Sequence, residues 1–232
     1  QLRHGGGGRE LPGDRPARIA AHHAEPALEL EVVDLHDHAV GFEGELFSGR
    51  PRWDTLLSQP RPMLTAEEQA FIDGPVEEVC RMTNDWETTH VRADLAPEIW
   101  EFLKKNKFFG MIIAKEYGGL GLSAFAHSRV IMKLASVSST LSSTVGLPNS
   151  LGPGELLAHY GTDEQKSFYL PKIASGEIEF AIGYSEPNAG TDLASLQTRA
   201  VRDGDHYVVD GQKTWTSLAR GADYLWLAVR TD

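Results

Sequence analysis

Two stretches carry most of the groups able to bind or react. The first, Ser185-Glu186-Pro187-Asn188-Ala189-Gly190-Thr191-Asp192, follows the apolar run Phe180-Ala181-Ile182 and mixes turn formers with hydroxyls and carboxylates. Pro187 fixes φ, and glycine at 190 admits backbone conformations that other residues resist. Exposed N–H groups in such a turn can donate to an anionic or polar ligand, and Ser185 and Thr191 add hydroxyls. The second stretch is Lys213-Thr214-Trp215-Thr216-Ser217, an indole set among hydroxyl residues. It offers a ring face for stacking and hydroxyls for hydrogen bonds. Read as structure alone, the first is an elaborate turn and the second a strand with a core Trp. Joined by one hairpin, the two would bring polar donors and an aromatic plane together, which suits a flat aromatic cofactor with polar edges.

Other chemistry is poorly supplied. Gly118-Gly119-Leu120-Gly121-Leu122-Ser123 is neither G-x-G-x-x-G nor a prelude to GK[ST], and reads as glycines that turn the chain into its next helix. His90, His127, His159 and His206 have no Ser/Asp or Cys partner at a recognisable spacing, and C-x-x-C, H-E-x-x-H and G-x-S-x-G are absent. His36, Asp37 and His38 with Asp34 could hold a metal, but no clear further ligand lies nearby and a solvated acidic loop is the plainer reading. No metal is expected. Cys80, the one cysteine, sits with Val79 and Met82 and reads as a core thiol, with no intrachain disulfide and a reducing compartment implied. A net charge of -11 argues against nucleic acid and anionic membrane as bulk partners. No run reaches the roughly 18 apolar residues of a membrane helix.

The elements that must position these groups follow from period and caps. Residues 1–45 are rich in Gly, Pro and charge and read as a flexible segment, with a short strand weakly signalled at 28–32. Residues 44–62 carry aromatic anchors, Phe47 and Trp53, and read as an arm that packs on a neighbour. Thr65 to Glu68 is a capping box. The helix it opens runs through Phe71, Ile72, Val76, Val79 and Met82, kinked at Gly74-Pro75. A helix over 96–110 starts with Pro97 in its first turn. Phe125 to Leu141 sustain one long buried helix over 124–145, and a short one follows within 152–161. A second capping box, Thr162 to Gln165, opens a helix that closes at Gly176. Near residue 179 the period shortens to that of strands, and Asp203-Gly204 between apolar runs signals a hairpin. The expected class is α+β: an α-helical domain over 46–178, then a mainly antiparallel β domain over 179–232. The chain starts without Met and stops after a strand-like run, so it is expected to be part of a longer protein.

At these residues the chain resembles the acyl-CoA dehydrogenases. Residues 116–121 (EYGGLG), 160–177 (YGTDEQKSFYLPKIASGE), 185–192 (SEPNAGTD) and 210–217 (DGQKTWTS) match family motifs in order and at family spacing, over roughly 65–232. Residues 44–166 resemble in particular the large bacterial fatty-acid β-oxidation members; from about Phe180 the chain is more similar to ordinary-length members. The resemblance implies a helical N-terminal domain, a β middle domain cut short here, and a C-terminal helical bundle that is absent. It also implies FAD, with Ile182, Gly183, Tyr184, Ser185, Gly190 and Thr191 along the flavin and Trp215, Thr216 and Ser217 against its ring. Ser217 matches a position that hydrogen-bonds near the reactive N5, where many members have Thr. Thr191, usually Ser, and Asn149 match substrate contacts; Asn188 replaces a frequent Gly. The implied reaction takes a proton from Cα and a hydride from Cβ of a fatty acyl-CoA, giving the trans-2-enoyl-CoA. No carboxylate here matches the catalytic Glu, which is expected beyond residue 232, so Glu186 reads as structural and the isolated chain as inactive. The implied partners are the acyl-CoA, an electron-transferring flavoprotein and further copies of the chain, in a bacterial cytoplasm or at its membrane. An acyl-CoA oxidase or nitroalkane-oxidase-like enzyme on the same fold stays open, as does a non-catalytic acyl-CoA-binding protein.

Overall fold

A computed structural model describes residues 42–47 and 49–231. The strand signalled at 28–32 and the His36–His38 cluster lie outside the described residues. The described chain divides into two compact units, one of residues 42–182 with 217–226 and one of residues 183–216 with 227–231.

The first unit is helical. Short helices α1 (Phe42–Phe47) and α2 (Trp53–Leu57) are tied by Glu45 and Arg52, and Phe47 and Trp53 are exposed rather than packed in a core of this chain. α3 (Ala66–Phe71) starts at the expected capping box. The Thr65 hydroxyl accepts from the Glu68 amide, and the Glu68 carboxylate accepts from the Thr65 amide at 2.8 Å. Pro75 lacks an N–H, and the chain answers by widening into a π-helical turn over Ile72–Val76 before α4 (Glu77–Met82). Cys80 on α4 is buried, and burial raises its thiol pKa, as a core thiol requires.

α5 (Pro97–Lys105) begins at Pro97 as expected but stops short of 110, because Lys107 takes a left-handed φ of 60° and a 3₁₀ turn, Phe108–Gly110, follows. The expected long helix over 124–145 is two helices, α6 (Ala124–Ala135) and α7 (Ser139–Ser150). Ser138 is extended and buried, and its hydroxyl accepts from the Leu141 amide, so a fresh N-cap interrupts an otherwise continuous apolar period. Val76, Val79, Leu103, Phe108, Val130, Leu134, Leu141 and Val145 close the main core.

The glycine stretch at 118–121 is structural. The amides of Leu120, Gly121 and Leu122 donate to the carbonyls of Gly110, Ile113 and Met111, folding it back on the preceding segment. A Cβ at Gly119 would lie 2.0 Å from the Ile113 oxygen, so only glycine fits. The segment ends at Ser123, which caps α6 and whose amide donates to Glu68 at 2.8 Å. Ser123, with the Thr65 amide, holds the buried Glu68 carboxyl at about 2. One carboxylate thus joins the first turns of α3 and α6. His127 on α6 has a buried Nε2 without a protein partner, and burial lowers its pKa, so the ring is neutral near pH 7.

α8 (Gly154–Tyr160) and α9 (Asp163–Ser175) follow, with the second capping box intact and Gly176 left-handed at φ 68°. Ile113, Leu157, Leu170 and Ile173 form a second core. Strand β1 (Phe180–Gly183) pairs with β4 (Tyr224–Leu227), and Phe180 stacks on Tyr224 at 5.1 Å with Tyr169 edge-on to both. No helix among the described residues is long and apolar enough to cross a membrane.

In the second unit, β2 (Arg199–Asp203) and β3 (His206–Asp210) form an antiparallel hairpin with Asp203 opposite His206. The turn residues are Gly204-Asp205, one place later than the Asp203-Gly204 signal, with Gly204 left-handed at φ 64°. The α+β order is as expected: helices to residue 175, then a small β region whose strands are short and separated by turns.

Candidate functional site

The turn after β1 is built around Glu186. Its backbone exchanges two hydrogen bonds with Ala189, N to O at 2.7 Å and O from N at 3.2 Å, leaving Pro187 and Asn188 exposed at the corner. The side chain turns inward. Oε2 accepts from the Gln197 amide at 2.6 Å, and Oε1 from the Thr198 amide at 2.9 Å and from Lys213 Nζ at 2.8 Å. Lys213 is the main reason the carboxyl is held at about 2, with Thr198 and the Gln197 amide adding to it. A carboxylate so engaged cannot serve as a proton acceptor near neutral pH. The Glu186 carboxylate is engaged in holding the turn.

Lys213 is the residue the sequence reading missed. Its Nζ also donates to the Tyr184 carbonyl at 3.0 Å, and the next amide, Thr214 N, donates to the Ser185 carbonyl at 2.9 Å. Lys213 and Glu186 side chains are only 9% and 7% exposed. In the sequence Lys213 stands between Gln212 and Thr214, and its partner lies 27 positions away. The one signal in the sequence is a basic residue opening the second stretch and a carboxylate, Glu186, in the first, which also holds Asp192.

Trp215 corrects the strand expectation. It lies in a bend with φ 57°, in left-handed backbone, and residues 217–221 form a turn in which Leu218 is also left-handed at φ 64°. Strand alternation therefore does not place Trp215 and Ser217 on one side; the ties at Lys213 and Thr214 hold the chain up to 214, and it breaks direction immediately after. Two non-glycine residues in this conformation within four positions mark a segment under local strain. The indole is 91% exposed, so it is not a core Trp.

Gly190 also differs from expectation. Its φ is not in the left-handed region, and a Cβ there would meet nothing within 4 Å. The chain's own fold does not require glycine at 190. Thr191 is exposed, Tyr184 and Ser185 are half-buried, and Gly183 is buried at the end of β1. Thr216 is half-buried and Ser217 exposed. The Thr214 hydroxyl is buried with no protein partner. Ile182 belongs to the helical unit, half-buried on β1. Asn149 lies there too, 3% exposed on α7, where its amide donates to Phe108 O and Val145 O at 2.7 and 2.9 Å and accepts from Ile112 N at 3.4 Å. Those bonds tie α7 to the 108–112 segment. Among the described residues there is no cluster of His, Cys, Asp and Glu able to hold a metal.

Residues 63–177 match the model of the acyl-CoA dehydrogenase N-terminal domain, and residues 181–232 that of the acyl-CoA dehydrogenase middle domain. The chain belongs to the acyl-CoA dehydrogenase family. Acyl-CoA dehydrogenases are FAD-dependent oxidoreductases. The boundary between the two matched domains coincides with the change from helix to strand. Over 118 residues the chain is 55% identical to the acyl-CoA dehydrogenase FadE26 of Mycobacterium tuberculosis, a match covering 51% of this chain and 28% of that one. It is 40% identical over 222 residues to the (2S)-methylsuccinyl-CoA dehydrogenase of Cereibacter sphaeroides, covering 95% of this chain and 38% of that one. Among solved structures it resembles the ChsE4-ChsE5 complex of Mycobacterium tuberculosis, with a TM-score of 0.59, 38% identity, and coverage of 75% of this chain and 44% of that one. The chain thus spans less than half the length of these acyl-CoA dehydrogenases.

The residues present fit FAD. The second unit offers such a group an exposed indole on left-handed backbone, a buried Thr214 hydroxyl without a protein partner, and a Gly190 at which a Cβ would meet nothing within 4 Å.

Proposed function

We propose that the protein carrying this chain oxidises an acyl-CoA thioester to the 2-enoyl-CoA, with FAD as the hydride acceptor. The observation that carries this is the display of Trp215. Its indole stands 91% exposed beside a buried ion pair, in the segment of a matched acyl-CoA dehydrogenase middle domain. The reaction removes a proton from Cα and a hydride from Cβ. FAD, when bound, takes the hydride. The chain's own residues bind and orient. Trp215 offers a ring face, Ser185 and Thr216 offer hydroxyl donors, and the turn through Gly190 and Thr191 lets backbone and hydroxyl approach flavin and acyl-CoA. The proton acceptor is not Glu186; this reading places it outside residues 42–231.

A fatty acyl-CoA in β-oxidation is the substrate class we favour, with an electron-transferring flavoprotein as acceptor and an oligomeric protein in the bacterial cytoplasm. A second reading, a short branched acyl-CoA, is favoured by the similarity to (2S)-methylsuccinyl-CoA dehydrogenase over 95% of this chain. Anaerobic addition of single acyl-CoAs to the FAD-loaded protein tests the proposal. Bleaching of the flavin band by fatty acyl-CoAs is expected, and bleaching by a branched short thioester alone favours the second reading. Rapid reoxidation by O₂ marks an oxidase instead, and no bleaching by any thioester leaves a non-catalytic binder.

A further inference from the structure

We propose that Lys213 is a positioning residue for the flavin: its ammonium, seated between the Tyr184 carbonyl and the Glu186 carboxylate, fixes the segment 183–186 against the segment 213–216 before the cofactor arrives. The proposal rests on the flavin reading above. Three bonds cross between the two segments, from Lys213 Nζ to Tyr184 O and to Glu186 Oε1, and from Thr214 N to Ser185 O. Glu186 is anchored from behind by the amides of Gln197 and Thr198, where the chain enters β2. The lysine therefore grips a carboxylate that cannot drift.

Burying such a pair is a poor route to stability. Desolvating two charges largely offsets their attraction, and apolar residues of similar volume often do as well. What the pair adds is geometry. An ammonium satisfied by one carbonyl and one carboxylate allows one relative placement of the two segments, where an apolar contact would allow many. The consequence appears one residue on. The chain is held up to Thr214, and the left-handed turn at Trp215 then sends an indole into solvent. Holding a binding site in its bound arrangement removes an ordering cost that the ligand would otherwise meet.

Lys213→Met and Arg230→Met in the FAD-loaded protein test this together. Arg230 also ties two carbonyls within the second unit, Ala194 O and Leu196 O at 2.8 Å each. Each variant removes two side-chain hydrogen bonds within the second unit, those of Lys213 buried and those of Arg230 exposed. The proposal expects the FAD dissociation constant to rise about tenfold or more in Lys213→Met and to stay within about threefold in Arg230→Met. Equal weakening in both, or none in Lys213→Met, overturns it and makes the lysine a general stabiliser. Should Lys213→Met fail to fold, hydrogen exchange in the wild-type protein decides. The amides of Gln197, Thr198 and Thr214 should exchange slowly without FAD and change little when it binds. Free exchange until FAD is added overturns the proposal. Wild-type protein that takes up no FAD at all refutes the flavin reading itself, and the proposal with it; FAD uptake indifferent to Lys213 refutes the proposal alone.

Discussion

Replacing Gly190 with alanine separates what the fold needs from what a ligand needs. The backbone at 190 is outside the left-handed region and a Cβ there has open space within 4 Å. Folding should therefore tolerate the methyl, and the less flexible unfolded chain should raise stability by about 0.4–1 kcal/mol. FAD running along the turn would meet the methyl. Overpacking of that kind costs about 1–3 kcal/mol, and 1.4 kcal/mol is a factor of ten in affinity. The assay pairs thermal melting of the FAD-free protein with FAD titration. Melting should hold or rise while FAD affinity falls about tenfold. Gly119→Ala is the contrasting control, since its Cβ would sit 2.0 Å from the Ile113 oxygen and melting should collapse. A Gly190→Ala variant that binds FAD as tightly as wild type would refute the placement of the cofactor along this turn.

Three further outcomes follow from single residues. Asn149→Ala removes the side-chain donor to the Phe108 carbonyl, a second donor to the Val145 carbonyl and the acceptor for the Ile112 amide, and denaturant unfolding should show a loss of about 2–4 kcal/mol. Trp215→Ala should change the melting of FAD-free protein by no more than about 0.5 kcal/mol, because the ring is exposed, while FAD retention drops. Acid sensitivity should trace to Glu68 and Glu186. Both have folded pKa values lowered from 4.5 to about 2, so their contribution is fully present above pH 4.5 and is lost as pH falls towards 2. In Glu68→Gln the melting temperature should be lower at neutral pH and should fall less steeply across that window than in wild type.

What the sequence made legible was local. Both capping boxes, Thr65 with Glu68 and Thr162 with Gln165, are written within four residues and were found where read. The hairpin at 199–210 needed only a glycine between two apolar runs. Ser138 was missed because the apolar period continues across it; a cap acts on the backbone and leaves no mark in hydrophobicity. Trp215 was misplaced on a strand because alternation assumes extended backbone, and a left-handed residue other than glycine carries no compositional flag. Nonlocal chemistry was hardest. Glu186 reads as a turn carboxylate and nothing in the sequence pairs it with Lys213; only the fold brings them to 2.8 Å.

The most direct test of the central claim is a hydrogen-exchange difference map of the protein with and without FAD. Protection on binding should appear in peptides covering 182–192 and 215–217. Protection confined to other segments, such as the glycine stretch at 118–123, would contradict the assignment of this site to the flavin.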